Sequence, residues 1–151
     1  MASKQGASKV KDEIAREVEY MNLAVQELHD YATTLIEKGD VPFSSKTAQN
    51  LRERGSELIH TMEKTGADIS DLAGRYECGS GETPEGDEIK QVAAEVAGEV
   101  GGLYGIFDLS TGKLPGYGDR KTGMADVGRD FMTASKNLKK IAARLAQLRI
   151  N

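Results

Sequence analysis

Three stretches of this 151-residue chain repeat one spacing, and that spacing leaves few folds open. Ile14, Val18, Met21, Val25, Leu28, Ala32 and Leu35 follow one another at intervals of four and three. Ala48, Leu51, Gly55, Leu58, Met62, Thr65, Ile69, Leu72 and Tyr76 do the same, as do Met124, Val127, Phe131, Ala134, Leu138, Ile141, Leu145 and Leu148. On an α-helix such positions share one side. Each stretch is therefore a helix with an apolar seam that another helix must cover.

Punctuation between the seams sets the order. The first helix is expected from about Val10 to Lys38, with Ser8 as a candidate N-cap and Gly39 as a left-handed C-cap. Pro42 cannot continue that helix, and Phe43 is placed to plug the end of a bundle. Ser44 or Ser45 then caps a second helix. Its seam keeps register from Ala48 to Tyr76, which favours one continuous helix over a break at Gly66. Residues 78–86, CGSGETPEG, read as a linker. A third helix is expected over about 85–107 and a loop over 108–123. A fourth helix is expected over about 124–148. The fold expected is all-α, one domain over 1–151. It is an elongated four-helix bundle made of two antiparallel helical hairpins, about 10–77 and 87–149.

The third helix breaks the pattern. Its large apolar residues are Ile89, Val92, Val96, Val100, Leu103 and Phe107, but Ala93–Phe107 reads AAEVAGEVGGLYGIF. Gly98 and Gly102 are four apart, as are Gly101 and Gly105, a spacing that lets another backbone come close. One reading packs this helix tightly inside its own bundle. The sharper one makes it a subunit interface. A conditional membrane-inserting hairpin is disfavoured, because 97–107 is short and contains Glu99.

Composition narrows the function classes. The net charge of −4 does not suggest general coating of nucleic acid. With no tryptophan, five tyrosines and three phenylalanines, a base-stacking or sugar-binding surface is poorly supplied. A single cysteine, Cys78, makes no internal disulfide. MASKQGASK has no apolar h-region, so a signal peptide is not expected, and no apolar run is long enough for a constitutive membrane span. The location expected is cytoplasmic or inside a particle, with signal-free secretion as the other route. Charge is uneven along the chain. Residues 79–119 hold 2 basic and 8 acidic side chains, and 120–151 hold 8 and 2. Complementary antiparallel packing of these two segments is the favoured reading.

Catalytic, cofactor and metal patterns fall short. Glu57 and His60 make one Glu-x-x-His pair, where a di-iron bundle needs two plus further glutamates. Both flank the seam and are expected to point outward. His29 and His60 have different facings and make a poor zinc pair. Neither histidine falls near Cys78 to act as its base. In the 108–123 loop, Gly112-Lys113 is followed by Leu114, so no phosphate-binding Walker motif is present.

The function expected is therefore non-catalytic, without cofactor. It is that of a helical structural or interaction protein acting by protein–protein assembly, as a subunit of a virion, a secretion apparatus or another large particle. The partner would be a second copy or another protein. The candidate interface is Gly98, Gly101, Gly102 and Gly105, with Tyr117, Arg120 and Lys121 of the adjoining loop. The alternative, less favoured, is a module that binds nucleic acid or another anionic surface. It would use Arg129, Lys136, Lys139, Lys140 and Arg144 of the fourth helix. The long-hairpin plan is superficially similar to small type VII-secreted helical proteins. However, the connector Gly39-Asp40-Val41-Pro42-Phe43 lacks their Trp-x-Gly turn.

Overall fold

The seams do form helices. A computed structural model describes residues 4–80, 84–111 and 123–148, with side-chain surroundings for 9–76, 84–107 and 123–148. It contains α1 (Lys4–Glu37), a short 3-10 turn (Lys46–Ala48), α2 (Gln49–Ser80), α3 (Pro84–Thr111) and α4 (Met124–Ala146). At 1.5 Å per residue, the 34-residue α1 is about 50 Å long. The four helices pack around one core. Among the described residues, α1 meets α2 and α4, and α3 meets α2 and α4.

Several expected boundaries move. α1 begins at Lys4, so Ser8 lies inside the helix rather than capping it. α2 is continuous through Gly66, as its unbroken seam implies, and it runs on through Cys78 to Ser80. α3 opens at Pro84, where proline's missing N–H costs nothing, with Glu85 and Asp87 in the favourable first turn. The expected 78–86 linker is thus shorter, because an apolar run is not needed for a helix to extend one more turn. Likewise residues 108–111, expected in a loop, close the last turn of α3. α4 ends at Ala146, two residues before the expected end. Ser45 precedes the 3-10 turn without making a side-chain capping bond.

The buried residues follow the predicted seams and then exceed them. On α1 the seam is buried except for half-buried Val18, but Glu17, Ala24 and Tyr31 are buried too. The stripe is wide because α1 serves two neighbours, α2 and α4. On α2 and α4 only Leu51 and Leu148 of their seams are half-buried.

The α1–α2 connector is fixed by the chain that follows it in space. Gly39 has φ +64°, the left-handed geometry a helix C-terminus uses. The Met124 N–H donates to the Val41 carbonyl at 2.8 Å, and the Ala125 N–H to the Gly39 carbonyl at 3.0 Å. Two donors that the first turn of α4 leaves unpaired are so satisfied by backbone. Gly123, which makes no side-chain cap, fits there because a Cβ would lie 3.3 Å from the Gly39 oxygen. Phe43 closes the end as expected. It is fully buried edge-on against Phe107, with ring centres 5.7 Å apart. Arg52 holds this corner by donating from Nη1 to the carbonyls of Phe43 and Ser45, each at 2.6 Å.

Glycines do allow close approach, but not the ones expected. A Cβ on Gly128 of α4 would stand 2.8 Å from the Ala32 carbonyl oxygen of α1 and 2.9 Å from the Ile36 nitrogen. On Gly66 of α2 it would meet Val96 of α3 at 3.0 Å, and on Gly55 it would collide with the Tyr31 hydroxyl. These three positions let helices of this bundle come together.

Candidate functional site

The glycines of α3 behave in the opposite way. At Gly98, Gly101, Gly102 and Gly105 an added Cβ would meet nothing within 4 Å among the described residues. Gly98, Gly101 and Gly102 are exposed and Gly105 is half-buried. Among the described residues, nothing of the chain's own bundle packs against these four glycines. The reason is amphipathic geometry: Ile89, Val92, Val96, Val100, Leu103 and Phe107 take the inward side, which leaves the glycines outward. Each exposed glycine in a helix interior costs roughly 1 kcal/mol relative to alanine. No contact inside the described part of the chain offsets that cost.

Beside this face runs a surface groove of about 540 Å³ between α2 and α3. Gly66, Ala67 and Ser70 form one wall, and Ala93, Ala97 and Gly101 the other. Small side chains on both helices make the groove wide and shallow, with a largely apolar floor. Tyr117, Arg120 and Lys121, proposed as companions of the glycine face, lie outside the described residues.

The basic residues of α4 divide into two groups. Arg144 bridges to α3, donating from Nη2 to Glu88 Oε1 at 2.8 Å and from Nη1 to Glu95 Oε2. Those hydrogen bonds, Glu88 first, hold its guanidinium pKa above the ordinary value, against the opposing effect of desolvation. Asn137 adds a bond from Nδ2 to Glu99 Oε1 at 3.2 Å. The acidic third helix and the basic fourth thus complement each other, as their charge pattern implies. Arg129 is engaged with Asp126 at 2.6 Å in its own helix. Lys136, Lys139 and Lys140 are exposed and make no ion pair among the described residues.

The Glu-x-x-His pair and the second histidine lie apart on the surface. Glu57 and His60 are both exposed, and His29 is exposed with Nδ1 3.7 Å from its neighbour Asp30. No cluster of three or more His, Cys, Asp or Glu residues among the described ones is placed to hold a metal ion. The Cys78 side chain lies outside the described surroundings. No helix among the described residues is long and apolar enough to cross a membrane.

One buried charged group lies off the seams. Three polar or charged residues are buried among those described: Thr65, Ser135 and Glu17. Thr65 donates to the Thr61 carbonyl at 3.1 Å and Ser135 to the Met132 carbonyl at 2.8 Å. Glu17 is 8 % exposed, and its Oε2 has no hydrogen-bond partner among the described residues. Burial, then the neighbouring charge of Asp68, pushes its pKa above the ordinary carboxylate value. The signal for it was present: Glu17 falls three residues after Ile14 and four before Met21. That is a core position, once α1 is known to face two helices.

No protein-family model, no curated protein and no solved structure matches this chain.

Proposed function

We propose that this chain is a non-catalytic helical interaction protein that works by protein–protein assembly through the outer face of α3. Its partner is a second copy or another protein, and its setting is the cytoplasm or a larger particle such as a virion or secretion apparatus. The four helices act as a rigid up-and-down frame of two antiparallel hairpins. Pairs such as Tyr31 with Leu51 and Arg144 with Glu88 support that arrangement.

The observation that carries the reading is the open space over Gly98, Gly101, Gly102 and Gly105. Glycine is the least favourable non-proline residue at an exposed helical site. Four of them within eight positions, beside a groove walled by alanine and glycine, suit a surface against which another helix backbone lies closely. The test is mass in solution by light scattering at several concentrations, alone and with candidate partners. Gly98→Leu with Gly102→Leu is expected to disrupt assembly while leaving helix content intact. A monodisperse monomer whose partner binding survives both changes would sink the proposal.

A second reading rests on Lys136, Lys139 and Lys140, whose charges no carboxylate among the described residues neutralises. They would contact an anionic surface, nucleic acid included. Charge reversal at all three should then abolish a salt-sensitive association. Absence of binding at low salt removes this alternative.

A further inference from the structure

A second run of residues on α1 points outward. Tyr20, Leu23, Glu27 and Asp30 follow one another at intervals of three and four, and all four are exposed. That is the spacing of a coiled-coil seam, here left uncovered among the described residues. Tyr20 is 49 % exposed and Leu23 64 %; with Val41 they are the large exposed apolar residues among those described. The charge around them has one sign. From Glu17 to Glu37, α1 carries Glu17, Glu19, Glu27, Asp30 and Glu37 and no lysine or arginine. α4 presents the counterpart. Lys136, Lys140, Ala143 and Gln147 repeat the same intervals on its exposed side. From Phe131 to Leu148 there is no aspartate or glutamate.

α1 and α4 are neighbours in the bundle, yet among the described residues no ion pair joins the acids of one to the lysines of the other. Each helix meets its neighbour through its apolar seam and turns its charged side away. Glu27, Lys136, Lys139 and Lys140 are exposed and make no ion pair among the described residues. Two faces of opposite sign and equal rhythm, unused inside one chain, are complementary between two chains.

We propose that these two faces form a head-to-tail interface between copies of the chain. The outer side of α1 in one copy lies antiparallel along the outer side of α4 in the next. Register follows from the matched intervals. With Leu23 against Ala143, Asp30 falls against Lys136, Glu27 against Lys140 and Tyr20 against Gln147. The small side chain of Ala143 leaves room for Leu23. The methylene stem of Lys140 covers apolar surface beside it while its ammonium meets Glu27. Lys64 of α2 stands beside Tyr20 and Leu23, opposite the uncharged Ala143 and Gln147 rather than the lysines. Such an interface is heterologous: every pair keeps one free face of each kind, and assembly continues into a ring or a filament. Two helices touching over about three turns bury less than a standard interface, so the association is weak and salt-sensitive. The inference rests on the exposed lysines of the second reading, names the anionic surface they meet, and does not depend on α3.

The test uses the full chain carrying Gly98→Leu and Gly102→Leu, so that association through α3 does not contribute. Light scattering at low salt is expected to give a mass that rises with protein concentration, and at high salt the mass of the monomer. Two further variants neutralise one face each. The first adds Lys136→Gln, Lys139→Gln and Lys140→Gln; the second adds Leu23→Ser, Glu27→Gln and Asp30→Asn. Helix content of both is checked by circular dichroism. Each variant alone is expected to be monomeric. Mixed in equal amounts, they are expected to form a one-to-one complex that grows no further, because the pair retains one basic and one acidic face. Association of either variant alone, or a mixture that stays monomeric, would overturn the interface. So would a parent chain that stays monomeric at low salt. If that parent still retains a DNA duplex at low salt, the lysines serve nucleic acid, and the second reading stands without this one.

Discussion

The α-carbon hydrogen face of Gly128 lies directly against the Ala32 carbonyl: a methyl group at 128 would stand 2.8 Å from that oxygen. Backbone cannot give way as a flexible side chain can, so α1 and α4 would have to move apart. Gly128→Ala is expected to destabilise the chain by about 1–3 kcal/mol, a typical overpacking cost. Gly102→Ala, made where no described residue lies within 4 Å, should instead stabilise the isolated chain by about 0.5–1 kcal/mol through helix propensity. Urea titration of the two variants checks the opposite signs. If Gly102→Ala also weakens association, gain of stability and loss of assembly will have been separated in one substitution.

Tyr31 and Gly55 should be energetically coupled. The Tyr31 hydroxyl donates to the Leu51 carbonyl at 2.6 Å, while its ring packs edge-on to Phe131 at 5.2 Å and beneath the Arg54 guanidinium. Burial drives its phenol pKa well above the ordinary value, so it remains a donor throughout the usual pH range. Tyr31→Phe is expected to cost about 0.5–1.5 kcal/mol for the lost bond. Gly55→Ala should cost more, because its methyl meets that hydroxyl. With the hydroxyl gone, part of the collision disappears, and the double variant should fall short of additivity by about 0.5 kcal/mol or more. A double-mutant cycle from denaturant midpoints measures it.

Glu17 predicts a pH dependence of defined sign. Its carboxyl holds a proton more tightly in the folded chain than in the unfolded one. Facing it are Asp68, Asp71 and Arg75 from α2, with Glu13 and Arg16 on its own helix. A raised acid pKa means that the folded state binds more protons between the unfolded and folded values. Its contribution is therefore most favourable at low pH and is lost as pH rises through the folded value. Glu17→Met should be more stable than wild type by about 1–3 kcal/mol at neutral pH, the cost of an unsatisfied buried group. The advantage should shrink as pH falls into the ordinary carboxylate range. Stability curves of both proteins between acid and neutral pH test this, and parallel curves would refute it.

Much of the fold was legible because a helical seam is a local property. Leu28, Leu58, Met62, Phe131 and Leu138 are buried where their spacing puts them. Continuity of α2 through Gly66 follows from unbroken register, and the outward placement of Glu57 and His60 from their position beside the seam. The α3 site was legible only in part. Spacing marked Gly98, Gly101, Gly102 and Gly105 as small, but not whether their own bundle would cover them.

What the sequence determined by itself was the type of element, the inward stripe of each helix and the complementary charges that Arg144, Glu88 and Glu95 satisfy. Tertiary structure decided which glycine serves which purpose. Gly55, Gly66 and Gly128 fall where two helices of this chain meet, while the α3 glycines fall on the open side. It also buried Glu17, a charge that lies beside the α1 seam. The physical reason is the same in both cases. Periodicity along one helix fixes the direction in which a residue points. The identity and distance of what it points at depend on the neighbouring helices, and those are chosen by the packing of the whole bundle.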